Sequence, residues 1–429
     1  MVKIRPLERL DAAVRIPGSK SYTQRAMVIA ALAEGESRLR DVLLAEDTQI
    51  LAEALGLLGA AIRTEGGDMI VQGAGGRLLR PGKEIHLGNN GTAARLLSAV
   101  ACLSPGPVVL TGTPRLQERP LKPLLDALAS LGAGIAAQGK PGYLPISLTG
   151  GRLRGGEAVL QDIDSSQYVS ALLIAAPFAA EDTTIVLTGR IPSLPYITLT
   201  LEVMKAFGVE VRVDPKGRYM VRKGQRYRGG EYQIEGDVSS ASYFFLAAAL
   251  LRGAIRVENI NPLTRQGDIA FLALLERLGC RVLRGEDFVE ITGGALPGGE
   301  MSFDLGAMPD MVPTLAVLAA FRPGRTVIHN VAHLRLKESD RLAALVNELR
   351  KTGIAAQETA DGIAIVGGKP RGAAIATYND HRIAMSFAVL GLAVPGMRIA
   401  GEECVGKSFP GFWSALEGLY KDAPGGPRY

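Results

Sequence analysis

Residues 21–42 read SYTQRAMVIAALAEGESRLRDV: a polar turn, an alanine-rich helix and then a short β-rich strand. The same plan returns at 91–112 (GTAARLLSAVACLSPGPVVLTG) and at 165–187 (SSQYVSALLIAAPFAAEDTTIVL). Six such helices are expected, opening near Ser21, Thr92, Ser166, Ser240, Asp310 and His381. A spacing of roughly 70–75 residues marks an internal repeat. The turns before the helices differ in sequence, yet they collect Lys20, Arg25, Asn89, Gln167, Asp310 and Arg382. The scaffold repeats, and the chemistry gathers at its helix starts.

Each repeat carries a second helix that ends on a similar glycine stop: LGLLGA (Gly59), LASLGA (Gly132), MKAFGV (Gly208), LERLGC (Gly279) and LRKTGI (Gly353). Glycine just past a helix caps it, because it reaches positive φ without a steric penalty. Two alternating stretches follow, as in AAIRTE then DMIVQG, and alternation of period two reads as strands. The unit is therefore helix, strand, helix, strand, strand, an α/β class. The sixth unit lacks closing strands, whereas residues 1–18 look strand-like with no helix before them. The expectation is that residues 1–18 complete the last unit. This gives one domain over 19–235 and a second over 1–18 plus 236–429, with crossings near 16–20 and 234–240. Two adjacent connections suggest a hinge that closes over a ligand. The repeats alone leave a single barrel or two sequential domains as alternatives.

A chain of 429 residues, 47% hydrophobic, 21% charged and 5% aromatic, can bury two ordinary cores. The opening MVKIRPLERLDAAVRIPG has scattered charges and no apolar core, so no secretory signal is expected. No apolar run is long enough for a membrane helix. Cys102, Cys280 and Cys404 are odd in number and far apart, which argues against a disulfide frame and for a cytoplasmic protein. A net charge of +5 without a basic stripe or interleaved aromatics does not point to nucleic acid. The positives at turns fit a pocket for small anions.

In GSKSYTQR (18–25) an ammonium and a hydroxyl stand at a helix start, with the Arg25 guanidinium one turn on. Helix N-termini offer free N–H groups and partial positive charge, so this is an anion grip; simple capping is the alternative. LGNNGT (87–92) lets backbone N–H groups approach a ligand. Arg119 precedes Pro120 at a helix entry, and Ser165, Ser166 and Gln167 open another helix. Asp310 in MPDMVP could simply be an N-cap. LRLKESDR (334–341) concentrates Lys337, Glu338, Asp340 and Arg341, with an ion-paired helix surface as the alternative. YNDHR (378–382) and GKSFP (406–410) add Asp380, His381, Arg382 and Lys407. His329 and His333 are four apart, but TVIHNVAH reads as strand and turn without a third ligand, so no metal site is expected. P-loop, dinucleotide and covalent-triad patterns are absent.

Together GSKSYTQR, LGNNGT, QERPLKPLLDAL, DSSQ, SLPYI, EGDVSSASYF, KESDR, YNDHRIAM and GKSFPGFW resemble the 5-enolpyruvylshikimate-3-phosphate synthase family, in order and over essentially the whole chain. The resemblance implies two domains, each of three βαβαββ units in an inside-out α/β barrel, with the active site in the cleft between them. It implies transfer of the enolpyruvyl group of phosphoenolpyruvate to shikimate 3-phosphate, with no cofactor or metal, by a monomer. By the same resemblance Lys20, Gly91, Arg119, Gln167, Arg341, Arg382 and Lys407 line the phosphoenolpyruvate site. Lys20, Ser21, Arg25, Ser165, Ser166, Gln167, Ser193, Asp310 and Lys337 hold shikimate 3-phosphate, and Tyr196 flanks its ring. Asp310 and Glu338 match the family's acid/base carboxylates, with Lys20 assisting.

Two positions depart from the family pattern. His333 stands where Asn is common, and Leu96 where many members have Pro. Gly91 is retained, and in the family a side chain there crowds the herbicide glyphosate but not the substrate, so glyphosate is expected to compete with phosphoenolpyruvate. The alternatives are a UDP-N-acetylglucosamine enolpyruvyl transferase, whose usual reactive Cys is missing from TGTPRLQERP, and a non-catalytic binding protein of the same fold.

Overall fold

The computed structural model describes residues 1–421. The chain divides into two compact units, Lys20–Ile234 and Met1–Ser19 with Glu235–Tyr429. Each has its own apolar core. Six small sheets are present among the described residues, three in each unit.

The repeat is clearest where Ile85–His86 leads into helix Gly91–Ala101, strand Val108–Thr111, helix Lys122–Ser130 and the pair Gly134–Ala137 and Ile146–Thr149. The lead strand runs parallel to Val108–Thr111, and the last two strands close antiparallel. A parallel pair needs a crossover, and the first helix of the repeat supplies it. The first helices are buried nearly all round. In Lys20–Leu32 every residue from Tyr22 onward is buried, as is every residue from Val238 to Ala249 in Val238–Leu251. Such helices belong at the centre of a core. Second helices such as Lys122–Ser130 bury one stripe, Leu124, Leu125, Ala127 and Leu128. The glycine stops Gly59, Gly132, Gly208, Gly279 and Gly353 all have positive φ, between 85° and 109°.

The N-terminal segment behaves differently from the sequence expectation. Val2–Lys3 does join the sixth sheet, antiparallel to Arg398–Ala400. Asp11–Arg15 instead leads the fourth sheet, parallel to Ala254–Glu258, and its helix, Val238–Leu251, follows only after the whole other unit. Conversely, helix Lys20–Leu32 finds its lead strand at Glu231–Gln233, parallel to Glu36–Arg40. Both crossings therefore cut a repeat between lead strand and helix. The crossing segments pair with each other, Ser19 N–H donating to Glu235 O at 2.7 Å and Asp237 N–H to Pro17 O at 3.0 Å. Among the described residues no helix is long and apolar enough to cross a membrane.

Candidate active site

In the unit Lys20–Ile234 the expected residues converge through a few buried partners. Lys20 opens its helix and its Nζ donates to Asp47 Oδ2 at 3.2 Å. The backbone carbonyl of Asp47 accepts from the Asn90 side chain at 2.7 Å, and Asn90 caps helix Gly91–Ala101 by accepting from Ala93 N–H. Asp47 thus ties the GSKS turn to the LGNNGT turn. Gln167 Nε2 donates to Thr92 Oγ1 at 2.9 Å, bringing in the third turn, and Ser165 Oγ accepts from Gln167 N–H. Ser166 sits as N-cap of Gln167–Ala175 without a side-chain cap bond. Ser193 holds a left-handed φ of 57°, and its carbonyl accepts from Tyr196 N–H. Arg25 lies beneath these turns, 5.8 Å from the Tyr196 ring centroid.

Gly91 is bracketed by two guanidiniums. Arg95, four residues on, donates to Gly91 O at 2.9 Å and to Pro120 O at 3.3 Å, while Tyr168 holds the same Pro120 carbonyl at 2.7 Å. A Cβ at position 91 would lie 2.5 Å from Nη1 of both Arg119 and Arg95. We expect Gly91→Ala to displace the buried Arg119 head and to lower stability by about 1–3 kcal/mol, the range for overpacking a tight site. Denaturant unfolding would test this, and an unchanged midpoint would mean that Arg119 yields without loss. Leu96 is wholly buried in the core of its unit, in an uninterrupted helix.

In the other unit the acids and arginines form one network. Arg341, 1% exposed, donates to Asp380 Oδ2 at 2.8 Å, to Asp310 Oδ1 at 2.9 Å and to Glu338 Oε2 at 2.8 Å. Arg382 donates to Asp310 Oδ2 at 2.8 Å and to the Tyr243 hydroxyl at 3.3 Å. Asp380 caps helix His381–Ala393, accepting from Arg382 N–H, and also accepts from Ser339. Burial opposes ionisation of Asp310, but Arg382, Arg341 and Lys337 outweigh it and hold its carboxyl well below the ordinary range. Asp310 is no N-cap; it lies in the turn Pro309–Met311 with its side chain among guanidiniums. LRLKESDR is not one helix either, since the helix starts only at Arg341, after a short 3-10 turn over Ala332–Leu336 that contains buried His333. Lys407 is buried at the end of the turn Glu402–Lys407, which packs on helix His381–Ala393.

Sequence reasoning missed Asp47, Arg95, Tyr243 and Asp268. Arg95 left a signal, as the lone charge in an apolar helix; Asp268, in the short 3-10 turn Gly267–Ala270, left none. Asp268 accepts a short hydrogen bond from Ser239. Burial, reinforced by the nearby Asp310 charge and opposed by Arg382, pushes its carboxyl from 3.8 to about 7. A raised folded-state value means that its contribution to stability is complete below the unfolded value and is lost as pH rises through about 7. Asp268→Asn cannot ionise, so its melting temperature should gain on the wild type between about pH 5 and about pH 8. An equal gap at both pH values would show that Asp268 does not titrate there.

Residues 4–416 match the sequence profile of EPSP synthase (3-phosphoshikimate 1-carboxyvinyltransferase). The 3-phosphoshikimate 1-carboxyvinyltransferase of Methanoculleus marisnigri is 44% identical over 420 residues, covering 97% of this chain and 99% of the relative. That of Methanosphaerula palustris is 46% identical over 410 residues, covering 95% and 96%. Among solved structures, EPSP synthase from Acinetobacter baumannii superposes with a TM-score of 0.80 at 29% identity, covering 97% of each chain.

Proposed function

The chain belongs to the EPSP synthase family of 3-phosphoshikimate 1-carboxyvinyltransferases, and from that premise we propose how its residues divide the reaction. The carboxyvinyl group of phosphoenolpyruvate passes to the 5-hydroxyl of shikimate 3-phosphate, and inorganic phosphate leaves. The hydroxyl oxygen bonds to C2 as C3 takes a proton, giving a tetrahedral intermediate. Loss of phosphate from C2 and of a proton from C3 then restores the double bond.

The observation that carries this reading is the Asp310 carboxylate gripped on both oxygens by Arg341 and Arg382, with Glu338 on the same Arg341. Asp310 takes the hydroxyl proton, and Glu338 moves protons at C3. As the free protein stands, two guanidiniums suppress the basicity of Asp310. An anionic substrate that draws Arg382 toward its own oxygens raises that basicity when the base is needed, since a neighbouring cation is what depresses a carboxylate. Arg341 is anchored by Asp380 and keeps its place. Arg119, Arg341, Arg382, Gln167, Gly91, Lys20 and Lys407 receive phosphoenolpyruvate, as planar guanidiniums suit carboxylate and phosphate oxygens. Lys20, Ser21, Arg25, Ser165, Ser166, Gln167, Ser193 and Lys337 receive shikimate 3-phosphate. Both sets serve one reaction, in a cytoplasmic monomer, and glyphosate competes with phosphoenolpyruvate there.

Phosphate release from purified protein tests the reading, with phosphoenolpyruvate plus either shikimate 3-phosphate or UDP-N-acetylglucosamine. Release with shikimate 3-phosphate alone supports it. Release with the sugar nucleotide, or with neither, refutes it.

A further inference from the structure

Three helices whose starts carry the expected shikimate 3-phosphate residues meet, below those starts, on two hydroxyls. Arg25 is 1% exposed and all its acceptors are neutral. Its Nε donates to Thr200 Oγ1 at 2.8 Å, Nη1 to Ser21 O at 3.1 Å and Nη2 to Ser170 Oγ at 3.4 Å. The Thr200 and Ser170 hydroxyls lie 2.8 Å apart and are fully buried. Thr200 sits on helix Pro195–Ala206 and also donates to Tyr196 O at 2.8 Å; Ser170, on Gln167–Ala175, reaches Ser166 O at 3.4 Å. One hydroxyl oxygen can accept twice and donate once, and Thr200 has partners for all three. A carboxylate at this place would orient Arg25 equally well, but it would cancel the charge. Neutral acceptors fix the guanidinium and leave its field available to an anion. Burial lowers the Arg25 pKa to about 10, consistent with a cation given no counter-charge.

We propose that Thr200, backed by Ser170, is a positioning residue for shikimate 3-phosphate, locking Arg25 and the Tyr196 backbone into one arrangement. The inference rests on the function proposed above. Thr200→Val keeps the shape and removes the hydroxyl, leaving a buried Nε–H without its acceptor. Expected is a rise in KM for shikimate 3-phosphate of roughly tenfold, with much smaller changes in KM for phosphoenolpyruvate and in kcat. Thr200→Ser should restore near wild-type values, which a purely space-filling role would not. An unchanged KM for shikimate 3-phosphate, or an equal rise for both substrates, overturns the proposal. Should Thr200→Val fail to fold, Ser170→Ala decides on the same split, a rise confined to shikimate 3-phosphate supporting the proposal and its absence overturning it. Wild-type protein that does not turn over shikimate 3-phosphate refutes the functional reading itself, a result distinct from any variant's.

Discussion

Asp310→Asn should lower kcat by roughly 10²–10⁴-fold, the range for losing a general acid or base. Binding of shikimate 3-phosphate should change far less. Both carboxylate oxygens accept from guanidiniums, so an amide at this position keeps one acceptor and turns an N–H₂ donor toward the other arginine. The variant therefore loses the carboxylate proposed above as the proton acceptor and also misaligns Arg341 or Arg382. Single-turnover phosphate release, beside titration of shikimate 3-phosphate, separates chemistry from binding. Asp310 remains 22% exposed, so the fold should tolerate the change. Turnover within about threefold of wild type, with binding intact, would remove Asp310 from the proton transfer.

Arg341→Met should act on stability as well as on binding. Asp380 is wholly enclosed, and its strongest partner is Arg341; Ser339 and Arg382 N–H supply only hydrogen bonds. Removing one member of a buried pair strands the other charge, which costs about 3–5 kcal/mol. Denaturant unfolding of the unit that contains residues 235–421 should show the loss. The double variant Arg341→Met with Asp380→Asn should recover part of it, because the most deeply buried of the three carboxylates that Arg341 pairs with no longer carries a stranded charge. A single-variant loss below about 1 kcal/mol would mean that water reaches Asp380 once the arginine is gone.

These two effects rest on residues that differ in how far the sequence reveals them. Asp310, Glu338, Arg341 and Arg382 sit in short polar turns at helix starts, where unusual residues stand out against alanine-rich neighbours. Asp380 stands two residues before Arg382, but nothing local shows that it faces Arg341 from 39 residues away. Thr200 is less visible still. It is one hydroxyl in an ordinary helix, and its significance lies in Arg25, 175 residues earlier.

By itself the sequence determined the repeat, the helix starts, the glycine stops and the cation-rich turns. Those are local matters, set by capping, by positive φ and by hydrophobic period within a few residues. Only the tertiary structure decided that Asp11–Arg15 and Glu231–Gln233 each lead a repeat whose helix lies across a chain crossing. It alone decided that Asp47 links two turns and that Asp310 is held by two arginines rather than capping its helix. Strand partners and buried polar contacts are chosen by which surfaces pack together, and the residues that meet there carry no mark of it in their own neighbourhoods.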